Sequence, residues 1–144
     1  MTEEKIDSNR ITYLQMIQSS IDRMSTTSAV FKGFCATIIT GISAISFTEI
    51  NRWILLLAVL PVLCFLIMDV YYLQLERRFR ALYDNVRTGT HGVDFNLEPP
   101  RTKELKRSEV SIQSCIKSPS ICLFYLPAIV IASIVITMKF IGVM

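Results

Sequence analysis

The chain has 144 residues, 51% hydrophobic and 19% charged, with a net charge of +3. The apolar residues are gathered into blocks rather than spread at helical or strand period, which argues against an ordinary water-soluble domain. The small positive balance gives no sign of nucleic-acid binding. Cys35, Cys64, Cys115 and Cys122 form no CxxC pair, so they read as small apolar packers rather than zinc or redox ligands.

The opening MTEEKIDSNR carries three acids with no apolar region directly behind it, unlike a secretory signal peptide. From 8 to 24, Leu14, Ile17, Ile21 and Met24 recur at spacings of three and four, one apolar stripe on a helix with Ser8 as its N-cap. The stripe packs against its own protein, a neighbouring subunit or, less readily, the lipid interface. Ser25 to Ser28 reads as a polar joint. From Ala29 to Thr48 the chain is apolar except for Lys32, which is close enough to the end of the run to snorkel its ammonium to the headgroups. Ala29, Gly33, Thr37 and Gly41 recur every four residues along this first membrane helix, and Ala36, Thr40 and Ala44 form a second small row. Such spacing lets another backbone come close, so this is the expected helix-packing face.

Residues 49 to 52 read as a turn, and Trp53 as an interfacial aromatic. From Trp53 to Leu75 the only charged residue is Asp69, and the run is long enough to cross the roughly 30 Å hydrocarbon layer at about 1.5 Å per residue. A short turn makes this helix antiparallel to the first, placing Lys32 and Asp69 at equal distances from it. They are the expected intramembrane charge pair, either a structural salt bridge or a gating pair. The helix continues into water with an apolar stripe of Leu75, Phe79, Leu82 and Val86 and ends before Gly89. Arg77, Arg78, Arg80 and Arg87 form a basic collar for anionic lipid or a partner.

Residues 88 to 107 read as a loop with a short strand at Val93 to Leu97, and Ile121 to Met138 as a charge-free third span that Pro127 can kink. His91 is the only histidine. One nearby acid, Asp94, does not make a metal cluster. Arg87-Thr-Gly-Thr-His91 is similar to the Arg-xn-His pair of HEPN ribonucleases, but it is one residue short and lies in a Gly loop, so no chemistry is assigned to it. With no nucleophile-base set and no phosphate loop, neither an enzyme nor a cofactor is expected.

The expected fold is thus an all-α integral membrane protein. A cytoplasmic amphipathic helix (1–28) precedes a transmembrane hairpin (29–75), a cytoplasmic basic helix and loop (76–120) and a third transmembrane helix (121–144). Basic residues flank the first span's start and fill the segment between the second and third, which puts the amino terminus inside.

QMIQSSIDRM (15–24), SAVFKG (28–33), DVYYLQLERRFRALYDNVR (69–87) and VDFNLE (93–98) resemble a widespread group of small bacterial three-helix membrane proteins with no assigned activity. The likeness implies a multi-pass protein of the bacterial inner membrane. By size, helical membrane character and basic helix, the chain is more loosely similar to the pore-forming membrane accessory protein of RNA-targeting CRISPR systems. That second likeness implies a homo-oligomeric pore or membrane-perturbing effector in antiphage defence. The alternative is a non-conducting anchor that recruits a cytoplasmic partner through its basic helix. Expected partners are the lipid bilayer, further copies of the chain and a cytoplasmic defence protein, with no direct nucleic-acid binding.

Overall fold

The computed structural model of the chain describes residues 2–46, 53, 57, 59–101, 105 and 110–141, and for 2–6 and 46 the backbone alone. Among the described residues four helices follow in order: α1 (Thr2–Ser46), α2 (Val59–Thr88), a short α3 (Ile112–Ile116) and α4 (Pro119–Ile141). No strand occurs among the described residues. α1, α2 and α4 are each long and apolar enough to cross a membrane. The expected turn at 49–52 lies outside the described residues.

Two expectations are corrected on α1. It runs unbroken through 25–28, and its start at Thr2 puts Ser8 inside the helix. Ser and Thr are weak breakers because their hydroxyls can bond back to the previous turn. Thr12 does so to the Ser8 carbonyl (3.0 Å) and Thr27 to the Arg23 carbonyl (2.8 Å).

The chain folds as two compact units. One comprises Met1–Thr27 with Tyr72–Cys115, the other Ser28–Tyr71 with Ile116–Met144. In the first, polar unit, Tyr13, Ile17, Ile21 and Met24 of α1 pack with Phe79, Leu82 and Val86 of α2, flanked by Leu14 and Leu75. The two expected stripes therefore bury each other inside one chain, at about 1.5 to 3 kcal/mol per fully buried large apolar side chain. The α1 stripe is not left open for a second subunit.

α2 ends where Gly89 takes a left-handed φ of 78°, a conformation that favours glycine at a helix C-terminus. The Thr88 and Thr90 hydroxyls donate to the Asn85 carbonyl (3.3 and 3.0 Å), which also accepts the His91 N–H (3.1 Å). The strand expected at Val93 to Leu97 does not form. Phe95 sits at φ 55° and Asp94 Oδ1 accepts the Asn96 N–H (3.0 Å), so this stretch is irregular with a local Asx turn at Asp94.

In the second, apolar unit, α1 presents Cys35, Ile39 and Ile42, α2 presents Val62 and Val70, and α4 presents Ile121, Tyr125, Ala128 and Ala132. Alternating spacings of three and four on α1 and α4 keep one seam of each helix inward. α4 starts two residues before the expected span. Pro119 occupies its first position, where a missing N–H costs nothing, and the Ser118 carbonyl accepts the Ile121 and Cys122 N–H groups.

Candidate functional site

The apolar unit is built around one carboxylate. Asp69 of α2 is fully buried (0% exposed), and an ionised group there is costly without a partner. α1 supplies two. Lys32 Nζ lies 2.6 Å from Asp69 Oδ2, an ion pair without a well-aligned hydrogen bond, and the Ser28 hydroxyl donates to Asp69 Oδ1. Lys32 Nζ also donates to Ser28 Oγ at 2.7 Å. Ser28 and Lys32 are one helical turn apart, so both face α2 from the same side of α1. On the α4 side, the Tyr125 hydroxyl faces both Asp69 and Cys35, whose Sγ is 4.0 Å away.

The expected charge pair is thus brought together. Ser28 and Tyr125 complete it, and neither stands out in the sequence. A serine four residues before a lysine was the one local signal for the first. Tyr125 shares no stripe with another polar residue and is recognisable only once α4 is in place.

The small-residue row is placed differently. Ala29, Gly33 and Thr37 are exposed and Gly41 is half-buried. A Cβ added at Gly33 or Gly41 would meet nothing within 4 Å. Ala36, Thr40 and Ala44 are exposed beside them. The Thr37 and Thr40 hydroxyls are turned onto the carbonyls of Gly33 (3.0 Å) and Ala36 (2.9 Å), so this face offers methyls and backbone rather than free polar groups.

Comparison with protein-family models, with curated proteins and with solved structures finds no match.

The basic collar divides in two. Arg78 donates to the carbonyls of Pro100 (2.9 Å) and Pro99 (3.1 Å), and Arg77 to Ser114 Oγ (2.9 Å). These two are half-buried and tie down the segment after α2. Arg80 and Arg87 are exposed and pair on their own helix with Glu76 (2.6 Å) and Asp84 (3.2 Å). Arg10 donates to the Arg87 carbonyl.

Tyr13 closes the same loop from α1. Its hydroxyl donates to the Asn96 carbonyl, and its ring lies 5.6 Å from that of Phe95. Burial first, then the neighbouring Asp94 carboxylate, pushes the Tyr13 phenol up to about 12. Asp94 is held below the usual carboxylate value, mainly by the Asn96 N–H. His91 Nδ1 is 2.8 Å from the Gly92 carbonyl. No group of three metal-ligating side chains occurs among the described residues.

Proposed function

We propose that the chain is a multi-pass protein of the bacterial inner membrane with its amino terminus inside. In this reading its copies assemble into a homo-oligomeric pore or membrane-perturbing effector. The observation that carries the reading is the uncovered small face of α1, from Ala29 through Gly33 and Thr37 toward Gly41. Lipid tails give helices no hydrophobic reason to associate, so close backbone approach has to supply the attraction. In this chain the face best suited to close approach is largely exposed, whereas Cys35, Ile39 and Ile42 of α1 are buried. A second copy of α1 fits it. Three spans enclose little volume in one chain, so a conducting path would form between subunits. The setting in antiphage defence, and the kinship with the small bacterial membrane group, rest on resemblance alone.

The test is current across planar bilayers holding the purified protein. Discrete conductance that disappears in Gly33→Leu and Gly41→Leu supports the pore, since a bulky side chain keeps backbones apart. Absence of current at every voltage and protein density refutes it.

A non-conducting adaptor is the second reading. It is favoured by a groove of about 360 Å³ in the polar unit, lined by Gln18, Asp22, Arg80, Tyr83 and Asp84 among others. Arg80, whose side chain is 64% exposed, would be its contact residue. Arg77 and Arg78 are already engaged within the chain. Pull-down of one soluble protein that is lost in Arg80→Glu, from a protein that passes no ions, would establish the adaptor.

A further inference from the structure

We infer that Ser28, Lys32, Asp69 and Tyr125 form a releasable latch, in which Lys32 moves between Asp69 and the headgroup layer and so loosens α1 from α2 and α4. The inference rests on the membrane reading above and adds its regulation.

Three observations carry it. The first is asymmetry within the pair: Asp69 is sealed at 0% exposure while the Lys32 side chain keeps 19%. The carboxylate has nowhere else to go, whereas the lysine side chain already reaches the surface of the unit. The second is position. Lys32 stands three residues past Ala29, where the apolar run begins, about 4.5 Å along the helix axis. A lysine stem spans that distance, so the headgroups are a real alternative site for its charge. The third is the bridge. Ser28 Oγ accepts from Lys32 and donates to Asp69, so one small hydroxyl holds both members in register and its loss weakens the closed arrangement without removing a charge.

The groups facing Asp69 are Ser28 and Lys32 from α1 and Tyr125 from α4, with the Cys35 thiol next to Tyr125. When Lys32 swings out, Asp69 is left with hydroxyl donors alone. A buried carboxylate in that state draws in water or a proton, and α1 separates from its neighbours along the Cys35 seam. Paired inward, the three helices stay closed.

Cys35 is a built-in reporter, being fully buried beside the cluster, and Cys115 is an equally buried reference in the polar unit. The experiment follows N-ethylmaleimide labelling of the native cysteines by peptide mass spectrometry. The full chain is used in liposomes of phosphatidylethanolamine and phosphatidylglycerol, with potassium flux recorded in parallel. Lys32→Met is expected to raise the Cys35 rate about tenfold with Cys115 unchanged, as for a local opening. Removing a cation cannot by itself favour the thiolate, so a faster reaction reports access. The charge swap Lys32→Asp/Asp69→Lys returns the rate toward wild type. Ser28→Ala, which keeps both charges, gives a smaller rise of about threefold. If Lys32→Met raises both buried thiols alike, the chain has unfolded, and Ser28→Ala decides. An unchanged Cys35 rate in Ser28→Ala and in a folded Lys32→Met overturns the latch, whatever the flux. Faster Cys35 labelling without flux sustains the latch and removes the pore.

Discussion

At the scale of single residues, the energetics turn on which groups keep a partner. An unpaired Lys or Asp inside a span costs roughly 2.5 to 3.5 kcal/mol at the bilayer centre and less near its edge. Lys32→Ala and Asp69→Ala are each expected to lower thermal stability in detergent. The double variant should be milder than the sum by about 1 to 2 kcal/mol, the usual coupling of contacting charges. Strict additivity in a melting series would refute the pairing. Tyr13 supplies a pH signature. Its folded pKa is raised from 10.0 to about 12, so its contribution is whole below pH 10 and is lost as pH rises toward 12. Asp94 acts in the opposite direction. Its depressed pKa stabilises the loop above the ordinary value of 3.8, and that contribution is lost as pH falls below it. Helicity of the full chain against pH should decline between pH 10 and 12. In Tyr13→Phe that decline should be reduced, at a neutral-pH cost of about 1 kcal/mol for the lost hydrogen bond to Asn96. An alkaline limb identical in the two proteins would remove Tyr13 from the explanation.

At the scale of elements, Arg78 does more than its charge implied. It is the clasp that holds Pro99 and Pro100 against α2. Arg78→Ala leaves two carbonyls without that donor and should speed hydrogen exchange or proteolysis in 93–101 by about tenfold, with α2 itself protected. Equal rates would show that Tyr13 and Phe95 suffice. The stripes at Leu14–Met24 and Leu75–Val86 were legible in the sequence because period 3.6 reports which face is buried. They could not say against what, and the partner turned out to be each other. The joint expected at 25–28 failed because hydroxyl side chains satisfied the helix instead of breaking it. The strand expected at 93–97 failed because alternation of apolar residues says nothing of a positive φ at Phe95. Lys32 and Asp69 were legible from their matched distances to a turn. Ser28, Tyr125 and the carbonyl targets of Arg78 are tertiary placements, with no local pattern to announce them. The short α3 was missed since five residues are too few for a periodic signal.

At the scale of the whole molecule, three helices among the described residues are long and apolar enough to cross a membrane, and the basic residues before the first and between the second and third set the proposed orientation. A cysteine introduced at Ser111 should stay unlabelled by impermeant maleimide in intact cells and react once they are opened. Labelling from outside would reverse the topology. In the proposed assembly copies of the chain meet through the uncovered face of α1, which the mass of the particle in lipid nanodiscs tests. The wild-type chain should give a closed assembly of several subunits, each of 16.4 kDa, with Gly33→Leu and Gly41→Leu shifted to smaller species of unchanged helicity. A wild-type monomer, or an assembly untouched by either leucine, would contradict the account.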